Sequence, residues 1–504
     1  RRVIKMECHL SKSRYCRGYQ CPKMLWMDNY KIEEQAPMSN EQVLENGTEV
    51  GELARGLFGE YVNIDRPDDK NANAIMIEKT QEAIKNNIPI ITEASFSYNN
   101  NFCSVDILKK YGDHFEIYEV KSSTGVHDIY YEDASYQYYV LTKAGYNVTK
   151  VCIVHINSNY VRHGKLDLKQ LFTIEDVTDT AIMKQSEIES IIKHLKEVVE
   201  NSKEPQNKIG INCFDPYECQ YWGYCTKNLP KPNVFDLHST NTHAINITTK
   251  MQMFYDGKVS YNDLEYEDLP NDTLKQIEHE IKDIPDEIDK DEIRDFMSTL
   301  SYPLYFLDFE TYQKPIPEYD NMKPFQQIPF QYSLHYILEE GGELYHKDFL
   351  AQPDIDPRRS LAEQLVKDIP MNVCTTAYNM GFEKGRIREM AEVFPDLSEH
   401  LLNIRENIKD LMIPFQKRHY YTRAMQGSFS IKYVLPALYP DDPSLNYHNL
   451  DEVHNGSEAS ATYINLGKKS KEEQEKTRAN MLKYCGLDTY AMVKVWEKLK
   501  EAIK

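Results

Sequence analysis

The sequence predicts an α/β protein of two main domains joined by an acidic helical segment. Three observations predict it. A chain of 504 residues is too long for one ordinary domain. Apolar runs of strand length alternate with helical patterning in two separate regions, one before residue 160 and one after residue 300. Between these regions the composition turns polar and acidic. The expected boundaries are residues 1–230, a helical linker over 231–300, and residues 301–504.

A basic start (Arg1, Arg2, Lys5, Lys12, Arg14, Arg17 and Lys23) leads into helical periodicity that runs to about residue 60. "PIITEASFSY", "NFCSVDILKKY", "HFEIYEVKSS" and "VTKVCIVHIN" are rich in β-branched and aromatic residues and read as strands. Gly112 and Asp113 turn the second of these into the third. "YYEDASYQYYVLTKAGY" reads as a helix ending near Gly145. Residues 174–202 read as one long helix, followed by a cysteine-bearing loop at 211–226. Two prolines in "LPKPNVFDL" mark a connector, and "LKQIEHEIKDI" and "KDEIRDFMSTL" supply helices to the acidic segment. The second α/β domain begins at Tyr302 with "PLYFLDFETYQ". In that strand Phe306, Asp308 and Glu310 share one face, and Leu307 and Phe309 the other. Two neighbouring anions repel, and burial raises the cost of ionising both. Either the strand end is solvated or a cation sits between them.

The formal charge of −20 argues against blanket electrostatic binding to nucleic acid or anionic membranes, though not against a local basic groove. No apolar run is long enough to span a bilayer, and the first residues lack a signal-peptide core. The expected location is cytoplasmic. There ten cysteines are not disulfide material, so any clustering points to metal or redox chemistry.

Asp106 lies on the first strand of the hairpin, Glu119 and Lys121 on the second, and the latter two share a face. Such a set can hold a divalent cation and align a water, while a cross-strand ion pair is the plainer alternative. The run resembles the metal centre of PD-(D/E)xK nucleases, in particular the RecB-like branch that includes CRISPR-associated and AddAB-type nucleases. "HLSKSRYCRGYQCPKMLW" resembles the opening element of that branch, "ENGTEVGELAR" its Gly-rich helix start, and Gln137 its helical glutamine. The resemblance implies a restriction-endonuclease-like mixed sheet with flanking helices, and a catalytic set of Asp106, Glu119, Lys121 and Gln137 in which Asp106 and Glu119 bind metal. Where the branch often has a histidine ligand this chain has Gly51, with Glu52 or Glu60 as substitutes.

Cys213, Cys219 and Cys225 recur with equal gaps in "CFDPYECQYWGYC", and Cys21 lies far upstream. RecB-like nucleases with an iron–sulfur cluster place one cysteine before the catalytic core and three after it, and this pattern resembles theirs. Four thiolates suit a 4Fe–4S cluster or a structural Zn²⁺, and the absence of Cys-x-x-Cys spacing favours the cluster. Cys16 is a rival to Cys21. Cys8, Cys103, Cys152, Cys374 and Cys485 read as structural.

In the second domain, Asp308 and Glu310 are followed by Asn379, Phe382 and Glu383 entering a helix, and by Tyr484 and Asp488 four apart on a late helix. Four carboxylates can ligate two divalent ions, and two ions can clamp the attacking and leaving oxygens of a phosphodiester. This ordered set resembles the DEDD exonucleases of the ribonuclease H-like fold, in their tyrosine subtype. That resemblance implies Mg²⁺ or Mn²⁺ on Asp308, Glu310, Glu383 and Asp488, with Tyr484 orienting water. Glu383 stands where the family usually has Asp, and Asp410 resembles a further acid of the fold. Between these motifs Lys417, Arg418, His419, Arg423 and Lys432 interleave with Tyr420 and Tyr421, the composition of a single-strand binding surface. The whole chain resembles a bacterial family joining a RecB-like module to this C-terminal half. The expectation is a nuclease acting on DNA, preferentially single-stranded, in processing, repair or defence. An RNA-processing 3′→5′ exonuclease and a non-catalytic nucleic-acid-binding assembly protein stay open as alternatives.

Overall fold

A computed structural model of the protein describes residues 8–37, 41–206, 208–265, 269–445 and 450–504. Arg1, Arg2 and Lys5 of the basic start lie outside the described residues. The chain divides into two compact units, Arg1–Asn228 with Lys314–Phe325, and Leu229–Gln313 with Gln326–Lys504. Both are mixed α/β. Residues 231–300 do not form a separate linker. Val234, Leu237, Ile245, Tyr261, Leu264, Leu269 and Ile277 enclose a hydrophobic cluster within the second unit.

The first unit holds β1 (Leu10–Ser11), β2 (Val62–Asn63), β3 (Ile90–Tyr98), β4 (Asn101–Tyr111), β5 (His114–Val120), β6 (Asn147–Ile156) and β7 (Phe172–Asp176) in one sheet. Its order is β2-β3-β4-β5-β6-β7, with β1 paired to β4. β3, β4 and β5 form an antiparallel meander, and β5 and β6 run parallel, joined by the helix Asp128–Lys143. The strand alternation sorts side chains between two cores. Ile117, Val151 and Ile153 face the Asp128–Lys143 helix with Ala134 and Val140. Tyr118, Cys152 and Val154 face the opposite side with Val50, Leu57 and Leu171. Gly145, at φ 95°, ends the helix where the sequence places its stop. Residues 174–202 are not one helix. β7 pairs antiparallel with β6, Asp176 accepts from the Thr178 amide and hydroxyl, and two helices follow, Thr178–Met183 and Gln185–Glu200. Only the second keeps the helical apolar spacing, at Ile188, Ile192, Leu195 and Val199.

The second unit contains β8 (Glu287–Ile288), β9 (Leu304–Tyr312), β10 (Ile328–Ile337), β11 (Leu344–Leu350), β12 (Cys374–Ala377), β13 (Ile408–Asp410) and β14 (Tyr420–Tyr421). Its main sheet has the order β11-β10-β9-β12-β13. β9, β12 and β13 are parallel and β10 runs against its neighbours on both sides. β9 is thus central and covered on both faces. Tyr305, Leu307 and Phe309 pack with Leu361, Ile387 and Leu401 of three helices. Leu304 and Phe306 pack with Met492, Val493 and Trp496 of the helix Lys471–Ala502. A capping box between Ser470 and Glu473 starts that long helix. No described helix is long and apolar enough to cross a membrane.

Candidate metal centres

In the first unit, one edge of β4 changes partner beside Asp106. β1 pairs with it at Asn101 and Phe102, and β5 from Ile107 onward. Asp106 falls in the gap, where its Oδ2 accepts the Val120 amide at 2.7 Å. Across the other edge the pairing with β3 skips one position without a change of register. Thr92 pairs with Ile107 and Ala94 with Val105, which leaves Glu93, at φ 56°, opposite Asp106.

Glu119, on β5, is 1% exposed and accepts from three side chains. Lys12 and Lys121 donate to its Oε1 at 2.7 and 2.8 Å, and Gln137 donates to its Oε2 at 2.7 Å. Asp133, one turn before Gln137 on the same helix, accepts from both Gln137 and Lys121. Burial alone would raise the Glu119 carboxyl, but Lys12 and Lys121 hold it well below the usual carboxylate range. Burial and the Glu119 charge push Asp106 up to about 7. Lys12 Nζ lies 3.8 Å from Asp106, so its ammonium occupies the place between the two acids that a divalent ion would take. Glu52 and Glu60 are exposed, whereas Glu93 is among the charges acting on Asp106.

In the second unit, β9 presents Asp308 and Glu310 toward the Lys471–Ala502 helix, which carries Tyr484 and Asp488. Glu383 stands in the first turn of the helix Gly381–Val393. The loop before that helix is held by Asp410, which accepts from the amides of Asn379, Met380 and Met412 at 2.9, 3.1 and 3.0 Å. Asp410 is therefore an anchor of the loop. Burial pushes Asp308 well above the usual carboxylate range, and the charges of Asp488, Glu310 and Glu383 push it further. Glu310 is raised for the same reasons, and burial takes Glu383 up to about 8. Glu383 is 3% exposed, and its Oε2 has no hydrogen-bond partner among the described residues. Mutually repelling, largely enclosed acids, with an open oxygen on Glu383, fit divalent cations, which would cancel the charge. Thr489, next to Asp488, is fixed by Ser333 at 2.6 Å and by His335 at 2.8 Å, and Ser333 pairs with Asp308 across the β-ladder.

Cys21, Cys213, Cys219 and Cys225 line one cavity with Met24, Met27 and Trp222. Cys213 and Cys219 are buried, and burial is the main cause of their raised thiol pKa values. Cys16 lies elsewhere, among the charges of Asp133, Lys121 and Lys12. Four thiols gathered around one cavity fit a bound metal or cluster.

The basic stretch of the second unit divides. Lys417 and Lys432 are exposed, and the Lys432 charge acts on Glu310. Arg423 is bound to Glu280 and Asp283. Arg418 is 4% exposed, lies over the Tyr421 ring and donates to the Gly427 carbonyl, while Tyr420 is buried against Phe415. As placed, Arg418 and Tyr420 build the core and do not offer a binding face.

Lys12, Glu93 and Asp133 in the first site, and Cys485, Ser333, His335 and Thr489 in the second, are additions to the sequence-derived sets. Helical spacing was the available signal for Asp133, four before Gln137, and for Cys485, three before Asp488. Glu93 owes its place to strand register and a local positive φ that leave no mark in the composition.

Residues 305–430 match a family described as a domain of unknown function (DUF2779). The matched stretch includes Asp308, Glu310, Glu383 and Asp410 and ends before Tyr484 and Asp488. No curated protein and no solved structure matches the chain.

Proposed function

We propose that the chain is a metal-dependent nuclease with two modules, hydrolysing phosphodiester bonds of DNA from single-stranded ends. The observation that carries this reading is that Asp308, Glu310, Glu383 and Asp488, from one strand and two helices, come close enough for their charges to act on one another, with Asp308 and Glu310 offering oxygens to one ligand position. The sheet order β11-β10-β9-β12-β13, with β10 alone reversed, supports a ribonuclease H-like exonuclease domain. The meander and parallel strand bearing Asp106 and Glu119 support a restriction-endonuclease-like first module.

In the second module the four acids would hold Mg²⁺ or Mn²⁺, which supply a more acidic attacking water and charge neutralisation at the leaving oxygen. Tyr484, one turn before Asp488, orients the attacking water. Ser333 and His335 fix Thr489 and so the adjoining turn of the helix. In the first module Asp106 and Glu119 would hold one ion, Gln137 steadies Glu119, and Lys121, held by Asp133, aligns the nucleophile. The four cysteines would hold a 4Fe–4S cluster that ties the two ends of this unit together. The absence of Cys-x-x-Cys spacing among these four favours the cluster over a structural zinc.

One observation favours a second reading for the first module. With Lys12 between its acids and Gly51 at the histidine position, it would serve as a nucleic-acid-binding platform for the exonuclease.

End-labelled single strands of DNA and RNA, each blocked at the 5′ or 3′ end, test the proposal with Mn²⁺ present. Asp308→Ala should abolish 3′→5′ degradation, by more than the roughly 10–100-fold that loss of a supporting residue costs. Asp106→Ala should remove a separate activity in the two-nuclease reading, and should weaken only binding in the platform reading. Cleavage unchanged in both variants, or no cleavage of any substrate, would refute the nuclease assignment.

A further inference from the structure

Cys485 follows Tyr484 directly and precedes Asp488 by three residues, so on a helix it shares the side that Asp488 presents. It is fully buried. Its Sγ and one carboxylate oxygen from each of Asp308 and Glu310 all lie within 4.8 Å of one another. Donors bound to one ion stand roughly 3–4.5 Å apart, so small side-chain adjustments let one ion touch all three. Glu383 points to a ligand independently. It is 3% exposed, its Oε2 is without a partner, and its charge acts on both Asp308 and Glu310.

We infer that Cys485 is a third donor to the ion held by Asp308 and Glu310, giving this centre a thiolate and a preference for transition-series divalent ions over Mg²⁺. The inference rests on the reading of this site as a metal centre. Magnesium is a hard ion that takes oxygen ligands in strict octahedral geometry, and sulfur is a poor donor to it. Ions such as Co²⁺, Fe²⁺ and Zn²⁺ accept mixed carboxylate and thiolate ligation. Binding forms a metal–sulfur bond and breaks the S–H bond, releasing the proton to solvent without any change of oxidation state.

Cobalt is a direct probe. The full-length chain, purified without oxygen and dialysed against chelator, is titrated with Co²⁺ while the sulfur-to-metal charge-transfer band is recorded in the near ultraviolet. Wild type should show a band component that both Cys485→Ser and Asp308→Asn lose. Cys485→Ser should bind Co²⁺ about tenfold more weakly, with Mg²⁺ affinity changed by less than about threefold. If Cys485→Ser keeps the full band and affinity while Asp308→Asn loses Co²⁺ binding, the thiolate ligand is refuted and the metal centre stands. If neither variant alters Co²⁺ binding, the metal centre itself is refuted. X-ray absorption on Mn²⁺-loaded wild type needs no variant. A sulfur in the manganese shell supports the inference, and a shell of oxygen and nitrogen alone overturns it.

Discussion

Glu383 carries one methylene more than the aspartate of the exonuclease pattern, and it spans that extra length from the first turn of its helix into a site already holding Asp308 and Glu310. Without metal this is costly, because a buried carboxylate with an open oxygen repels two others. Burial takes its pKa up to about 8, against 4.5 in the unfolded chain. Between those values the native state holds a proton that the unfolded state has lost, so native stability falls as pH rises through the window. Glu383→Gln has no such titration. In chelator at pH 8 the variant should therefore be more stable than wild type, by about 0.5–2 kcal/mol, and the gap should close toward pH 5. Added Mn²⁺ should stabilise wild type more than the variant, which keeps Asp308, Glu310 and Asp488 but lacks one carboxylate. Thermal melts over that pH range, with EDTA or Mn²⁺, read both effects. A variant melting below wild type at pH 8 in chelator would contradict the account.

At the scale of elements, the active face of the second unit depends on how one helix is locked to one sheet. Thr489 accepts or donates within a closed set that includes Ser333 and His335 on β10, and His346 on β11 completes it through Ser333 at 2.9 Å. Burial lowers the His335 pKa to about 4, which keeps the ring neutral and able to share this set at physiological pH. Thr489→Val keeps the shape and removes the hydroxyl. The expected cost is about 1–3 kcal/mol, from buried groups left without a partner. A weaker Mn²⁺ affinity should accompany it as Asp488 loses its support, and calorimetry on the folded variant reads that separately from the melt. Unchanged Mn²⁺ affinity would confine Thr489 to a structural role. None of this was legible in the sequence, because the partners come from strands far apart in the chain. The elements themselves were more legible. Period-two alternation gave β3 to β6, and Gly145 gave the end of the helix Asp128–Lys143. Asp308 and Glu310 stood out because they interrupt an apolar strand. The 174–202 segment misled because Thr173 to Asp176 pair with the free edge of β6, and edge pairing depends on a neighbour that local pattern does not contain. The basic stretch divides because composition does not say which side of a residue is covered: Arg418 and Tyr420 face inward, while Lys417 and Lys432 are exposed.

For the molecule as a whole, a chain of net charge −20 gains little from diffuse attraction to nucleic acid, so its proposed chemistry rests on sites built by closure of each unit. In the first unit closure joins residues 23–31 to residues 199–204. Trp26 donates to the Asn201 carbonyl at 2.8 Å, Tyr30 to that of Val199 at 2.8 Å, and Lys23 and Lys31 both pair with Glu204. Cys21, immediately before the helix Pro22–Tyr30, meets Cys213, Cys219 and Cys225 around one cavity. A group bound there would cross-link positions about 190 residues apart, and closing so long a loop removes much freedom from the unfolded chain. Cys219→Ser should abolish visible absorbance and cost about 2–5 kcal/mol of stability in this unit, by analogy with the loss of a long-range cross-link. The same closure positions Lys12, at the start of the neighbouring helix, against Glu119. Amide hydrogen exchange should therefore quicken over residues 8–31 and 209–226, and Asp106-dependent activity or binding should fall with it. β9 to β13, which belong to the other unit, should keep their protection. Equal loss of protection in both units would show that the cysteines support more than the first unit, and unchanged exchange in 8–31 would show that they cross-link nothing.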